Sequence, residues 1–174
     1  MAALTESLTE WLEVIPWQVI ATLEFPWTSG TWSADRRFSE FVNLMERGVR
    51  GRVCSLSAVE SHRRDGSPVS AHIHAALAAR MPITPTMVSD TWNHALGRYD
   101  PSRSDLARVS DYNPSQGGLS YILKQVTNPD CQWDVHNLEF FNPTMDFSDK
   151  RDHAALRSAR RWSQQVSVLS PAVS

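Results

Sequence analysis

The chain has 174 residues, enough for one domain with its own core, and its 41% hydrophobic and 21% charged content is ordinary for a globular protein. A net charge of −2 argues against a general duplex-binding protein, which would be basic overall, but leaves room for a local basic site. No apolar run reaches the roughly 18 residues that span a bilayer, the Met1–Glu6 start lacks the features of a secretory signal, and the two cysteines, Cys54 and Cys131, are too few for a disulfide framework or a zinc ribbon. The expectation is a reduced, cytoplasmic setting without membrane association.

In chain order, Trp17, Val19, Ala21, Leu23 and Phe25 alternate and predict a strand closed by Pro26. Ser33 reads as the N-cap of a helix that carries Phe38, Phe41, Val42 and Met45 on one stripe and stops at Gly48. A second strand is predicted from Arg52 to Glu60, a turn at Asp65-Gly66, and a third strand from Val69 to Ala79. Thr84-Pro85 is a cap followed by a first-turn proline, and opens a helix that buries Val88, Trp92, Ala95 and Leu96 before Gly97. A polar stretch follows, with a short strand near Leu106–Val109. Asn113-Pro114 starts another helix, which carries Tyr121 and ends before Asn128-Pro129, and Trp133–Phe141 reads as a last strand. The order β-α-β-β-α-(β)-α-β predicts an α+β domain, a central antiparallel sheet with flanking helices. The division expected is a domain over 1–147 and a basic C-terminal helix and tail over 148–174. The tail's Lys150, Arg151, Arg157, Arg160 and Arg161, and the cluster Arg47, Arg50 and Arg52, read first as solvated surface charge.

The chemistry concentrates in two places. On a strand, residues two apart share a face, so His72 and His74 point together while Ile73 and Leu77 point to the other side. Ala76 and Ala78 follow on the histidine face and leave open space there. With the turn centred on Gly66, Glu60 falls opposite His72, and the even separation keeps it on the histidine face. Two imidazoles and a carboxylate make a three-ligand site with open positions. That mixed nitrogen and oxygen set suits Mn²⁺ or Mg²⁺ at a phosphate-handling site, and would also take Zn²⁺, Co²⁺ or Ni²⁺ in vitro. A His-apolar-His triplet is by itself weak, since the chain has six histidines.

The second place is the helix of Tyr121. Lys124 lies three residues on, on the same helical face. Gly117 and Gly118, read as helical, cost about 1 kcal/mol each relative to alanine and are expected to clear space beside the tyrosine. Free tyrosine has a pKa of about 10 and is a poor nucleophile at neutral pH. A divalent cation would stabilise charge on the phosphate, and Lys124 would hold the phosphate or the phenolate. A tyrosine ester keeps the phosphodiester energy for rejoining. Of the three tyrosines, Tyr99 and Tyr112 sit in polar connections with no lysine at a helical offset.

Val59-Glu60-Ser61-His62-Arg63-Arg64-Asp65-Gly66, His72-Ile73-His74 and Tyr121-Ile122-Leu123-Lys124 together resemble the motifs of the HUH endonucleases, most nearly the rolling-circle replication initiator (Rep) proteins. Ala21-Thr22-Leu23-Glu24-Phe25-Pro26 is similar to their first motif, and Trp92–Gly97 to a segment common in bacterial members. The resemblance spans roughly Trp17–Phe141. It implies the ferredoxin-like plait of that family, metal ligands at His72, His74 and Glu60, a nucleophile at Tyr121 and the motif lysine at Lys124. It implies nicking of single-stranded DNA at an origin stem-loop, a 5′-phosphotyrosine link and a free 3′-hydroxyl for a host polymerase. The tyrosine follows the histidine pair, as in Rep proteins and single-strand transposases and unlike relaxases. The single motif tyrosine sets the chain apart from the two-tyrosine class.

The segment between Glu60 and His72 is longer than in viral Rep proteins by Ser67–Ser70, so His62 stands beside Glu60 as an alternative third ligand. No Gly-x-x-x-x-Gly-Lys-[Ser/Thr] loop occurs, so unwinding falls to a separate helicase. Trp27, Trp32, Arg36, Arg37, Arg63, Gly117 and Gly118 are candidates for DNA contact. Two other readings use the same residues: a single-strand DNA transposase, and a stem-loop-binding module that has lost cleavage.

Overall fold

The computed structural model describes residues 12–62, 66–97, 106–126, 131–138 and 141. Among these lie five strands, β1 (Val19–Leu23), β2 (Val53–His62), β3 (Pro68–Ala79), β4 (Ala107–Asp111) and β5 (Gln132–His136). Three helices accompany them, α1 (Thr31–Val49), α2 (Pro85–Ala95) and α3 (Gly118–Val126). The strands form one sheet in the order β4-β1-β3-β2-β5, and every neighbouring pair is antiparallel. The chain order β-α-β-β-α-β with β3 inserted between β1 and β2 is the split βαβ arrangement. The α+β architecture expected from the sequence is present. No helix among the described residues is long and apolar enough to cross a membrane.

The sheet is covered on both faces because its strands alternate. Val19, Ala21 and Leu23 of β1 and Ile73, Ala75 and Leu77 of β3 face α1 and α2 in the larger core. There Trp92 is fully buried, edge-on to Phe25 at 5.3 Å and to Phe41 at 5.7 Å, and its indole N–H donates to the Glu24 carbonyl at 2.9 Å. The other face holds Cys54, Leu56 and Ala58 of β2 and Ala76 and Ala78 of β3, covered by Leu119, Ile122 and Leu123 of α3 and by Leu12, Ile15 and Trp17. Ala76 and Ala78 are fully buried, so their small side chains admit α3 rather than leaving open space beside the histidines. Trp17 also departs from expectation. It precedes β1, packs in the α3-side core, and its indole donates to the Leu12 carbonyl at 2.9 Å.

The helix ends show where tertiary structure overrode local signals. α1 starts at Thr31 behind Gly30, which caps with no side chain, so Ser33 lies inside the helix. It runs past Gly48 and closes at Arg50, in the left-handed region at φ 50. Thr84 does cap α2, accepting from the Met87 amide at 3.2 Å, with Pro85 as the first helical residue. Asn113-Pro114 opens a 3₁₀ turn, Pro114–Gln116, and Gly117 turns the chain at φ 68 before α3 begins. Gly118 starts α3 against β1: a Cβ there would stand 3.2 Å from Ile20 Cγ1. The two glycines therefore turn the chain and allow close packing on β1, and do not clear an approach to Tyr121. The expected strand over Trp133–Phe141 is shorter, Gln132–His136. The C-terminal segment 148–174 lies outside the described residues.

Removing the Trp92 indole opens a cavity where both helices meet the sheet. Trp92→Ala is expected to lose about 3–5 kcal/mol of unfolding free energy in urea titration. Trp32→Ala, at a position 72% exposed, is expected to stay within about 0.5 kcal/mol of wild type.

Candidate metal and nucleophile site

The β2–β3 register pairs Glu60 with His72 and Ala58 with His74, and β1 pairs Thr22 with His74. Since β2 and β3 are antiparallel and directly paired, the residues of one face form a row across the strands. Glu60, His72 and His74 therefore meet on the α3 side. Glu60 Oε2 lies 3.0 Å from His74 Nε2 and 3.3 Å from His72 Nε2. The two rings stand edge-on at 4.9 Å between centroids. One ligand atom from each of the three residues lies within 4.8 Å of the others. The expected Glu60 register is the one observed. His62, the alternative, is exposed beyond a bulge in β2, its Nδ1 3.0 Å from Ser61 Oγ, and is not part of this cluster.

The outer ring nitrogens have partners that prepare this geometry. His72 Nδ1 donates to the Ser70 carbonyl at 3.4 Å. A carbonyl only accepts, so the neutral ring carries its proton on Nδ1 and turns the Nε2 lone pair toward Glu60. His74 Nδ1 lies 3.2 Å from Thr22 Oγ1. Burial lowers the His74 pKa below the usual histidine value of 6.5, the Glu60 hydrogen bond works the other way, and the His72 charge lowers it further. The neutral, ligating form is thus favoured. With both rings neutral and His74 in the matching tautomer, two lone pairs and a carboxylate oxygen converge, an arrangement that a cation satisfies. The residues could hold a divalent metal: His72, His74 and Glu60 each offer one ligand atom, and Thr22 and Ser70 would orient the rings.

Cys131 bounds the site from behind. Its thiol donates to the Val59 carbonyl at 3.2 Å, and burial, with the Glu60 charge adding to it, pushes its pKa up to about 12. Only a thiolate is a good ligand. Cys131 therefore stays a neutral packing group, and the candidate donor set is the two nitrogens and one oxygen of His72, His74 and Glu60.

Tyr121 reaches the same spot from α3. Its hydroxyl donates to Glu60 Oε2 at 3.3 Å, and its ring stands edge-on to His74 at 4.8 Å. The side chain is 45% exposed, with one side on the site and the other open to solvent. Lys124, one turn on, is also exposed. Ile122 and Leu123 anchor the opposite face of α3 in the core. The helix holds the phenol over the carboxylate that joins the two histidines.

The other sequence candidates scatter. Arg37 binds Glu40 at 2.8 Å and the Ala95 carbonyl at 3.1 Å, tying α1 to the end of α2, so it acts within the fold. Trp27 and Trp32 are exposed, and the Arg36 guanidinium lies 6.0 Å from the Trp32 ring centroid. Gly117 and Gly118 shape the start of α3, as above. Arg63 lies outside the described residues. Arg47, Arg50 and Arg52 sit at the C-terminal end of α1, where positive charge complements the terminal carbonyls. Thr22, Ser70 and Cys131 were not singled out from sequence as site residues. Thr22 carried a signal: it is a polar residue between the apolar Ala21 and Leu23, on the face that the register turns toward His74.

No family model, no curated protein and no solved structure matches this chain.

Two outcomes test this geometry. Thr22→Val is expected to weaken Mn²⁺ binding about 10-fold in calorimetry, with Thr22→Ser near wild type. The second concerns pH in metal-free protein. His74 has a lower pKa folded than unfolded, so the unfolded chain binds more protons between the two values. That contribution to stability is complete above pH 6.5 and is lost as pH falls from 6.5 toward the lowered folded pKa. His74→Gln should flatten the fall in urea midpoint between pH 7.5 and 5.5, and an unchanged slope would count against a neutral His74.

Proposed function

We propose that this protein is a metal-dependent, site-specific endonuclease of the HUH type, a Rep-like nickase and strand-transferase acting on single-stranded DNA. One observation carries the reading. A single carboxylate oxygen, Glu60 Oε2, lies 3.0 and 3.3 Å from two histidine Nε2 atoms and accepts from the Tyr121 hydroxyl at 3.3 Å. A phosphate held beside this cluster would lie within reach of the phenol. The motif order and the resemblance to Rep proteins agree with it.

The chemistry balances without a further reactant. The Tyr121 hydroxyl loses its proton and its oxygen bonds to phosphorus, while the bond from phosphorus to the 3′ oxygen breaks. The leaving 3′ oxygen takes up a proton, and the 5′ side stays on the tyrosine as a phosphodiester. Reversal by a 3′-hydroxyl rejoins the strand, since one phosphoester bond is made for each one broken. His72, His74 and Glu60 would hold a divalent cation, which when bound would supply polarisation of the phosphate oxygens and stabilise the charge that develops there. Glu60 also fixes the phenol through its hydrogen bond. Lys124 lies on the same helical face, and in this reading it would neutralise charge on the phosphate or the phenolate. In this reading the DNA is an origin stem-loop, the new 3′-hydroxyl feeds a host polymerase, and a separate helicase opens the duplex.

With Mn²⁺ and a library of labelled single-stranded oligonucleotides that form hairpins, wild type should yield a denaturant-resistant protein–DNA adduct. Tyr121→Phe should yield none, and Lys124→Ala should slow adduct formation about 100-fold. Peptide mapping of the adduct should place the nucleotide on Tyr121. A Tyr121→Phe variant that nicks as fast as wild type would sink the proposal.

A further inference from the structure

Three arginines meet at the end of the sheet that lies away from the histidines. β2 runs from Val53 at this end to Glu60 near the other, a span of about 23 Å. Val53 pairs with Ala79, and Arg52 and Arg80 are the next residues outward on the two antiparallel chains. Like charges set opposite each other destabilise a strand pair. Arg50, the residue that closes α1, joins them. Among the described residues, Arg50 and Arg80 form no ion pair. Arg52 has Glu46 Oε2 at 3.6 Å, and the other oxygen of that carboxylate accepts from the Val53 amide and from Asn137.

The backbone makes the same point independently. Arg50 is left-handed at φ 50, and among the described residues only Asn137 shares a positive φ without being glycine. Asparagine enters that region readily, arginine does so at a cost, and glycine is the usual choice where a helix ends. Gly51 stands one step later, yet the left-handed position falls on the arginine. Backbone outliers of this kind gather at ligand sites. Charge at the helix end accounts in part for Arg50 and Arg52. It does not account for Arg80, which comes from β3.

The space between these groups sets the size of an occupant. Arg50, Arg52 and Arg80 line one cavity of about 420 Å³ together with Val49, Met81 and Phe141. Small-molecule sites fall in the range of ~300–1,000 Å³, with apolar walls and a few convergent polar groups. Met81 is 59% exposed, so an apolar wall stands open beside the charges. A phosphate monoester carries close to two negative charges and three acceptor oxygens, and guanidinium groups match it in charge and in planar geometry. We infer that this cavity binds a phosphate monoester carried on an apolar or aromatic body, a nucleoside monophosphate or the 5′-phosphorylated end of a strand, with Arg50, Arg52 and Arg80 on the phosphate and Met81 and Phe141 against the body. The site is separate from the Glu60–His72–His74 cluster and does not rest on the nicking reading.

Calorimetry on the full chain in EDTA, at low salt, compares thymidine 5′-monophosphate, thymidine and inorganic phosphate. The monophosphate is expected to bind more tightly than either of the others. Arg80→Ala and Arg50→Gly should each weaken it about 10- to 100-fold. Arg50→Gly should also raise the urea midpoint, since glycine accepts the left-handed position, and that separates lost binding from lost fold. Met81→Ser should weaken the monophosphate and leave inorganic phosphate unchanged. A thymidine 8-mer with a 5′-phosphate that binds more tightly than the free monophosphate, and more tightly than the same 8-mer with a 5′-hydroxyl, makes a strand end the source. The reverse order makes it the free nucleotide. Monophosphate binding no tighter than that of thymidine or inorganic phosphate, binding unchanged in Arg80→Ala, or no binding at all overturns the site. The Tyr121 adduct assay reads the nicking proposal separately, and neither result decides the other.

Discussion

The pairing of Glu60 with His72 across β2 and β3 is the constraint on which the site depends. Side chains alternate along a strand, so a slip of one residue would send Glu60 to the α1 side and leave the histidines without a carboxylate. The site itself does little to forbid that slip, since its two imidazoles and carboxylate are partly exposed. The register is held from the other face. Ile73, Ala75 and Leu77 of β3 are fully buried beneath α1 and α2, and a slip would put His72 and His74 among them. Burying uncompensated imidazoles in that core costs several kcal/mol. The apolar face fixes the register, and the polar face takes its geometry from it.

That division explains what could be read in the sequence. The alternation in β1 and β3 and the stripe of Phe38, Phe41, Val42 and Met45 are local patterns with one period each, and they produced the right elements in the right order. A turn centred on Gly66, together with even parity, placed Glu60 opposite His72. Where several forces met, local signals failed. Ser33 is a good N-cap residue, yet the chain is already turned at Gly30 because Ser29 is pinned to Ala71. Ala76 and Ala78 looked like space for a ligand, but α3, which begins 40 residues after Ala78 (118 − 78), occupies it. Gly117 and Gly118 are explained by a left-handed turn and by Ile20. Thr22 and Ser70 could not be assigned because their roles require knowing which strands are neighbours.

The two faces also divide stability from chemistry. The larger core lies under α1 and α2 and contains the fully buried aromatic cluster of Trp92 and Phe41. The site lies on the α3 face, where Glu60 and His72 are partly exposed and Tyr121 is half exposed. A functional site tends to cost stability, and in the proposed reading two imidazoles and a carboxylate within hydrogen-bond distance would do so here. Anchoring them to the central strands of a sheet whose other face is well packed offsets that cost, and it also keeps the ligand atoms in place when the site is empty of charge.

The proposed nucleophile is held differently from the proposed metal ligands. His72, His74 and Glu60 stand on the two central strands, each paired on both sides or nearly so, while Tyr121 stands on a nine-residue helix at the surface. A helix so short has little stability of its own and holds its place through Leu119, Ile122 and Leu123. The proposed reaction asks for that contrast. Metal ligands must keep fixed distances through the whole cycle, but a tyrosine that becomes bonded to DNA must accept a new, bulky substituent and later release it. Exposure on one side of α3 leaves room for the attached strand without moving the sheet. In that reading, the Glu60 hydrogen bond and the edge-on contact with His74 would return the phenol to the same point once the strand has left.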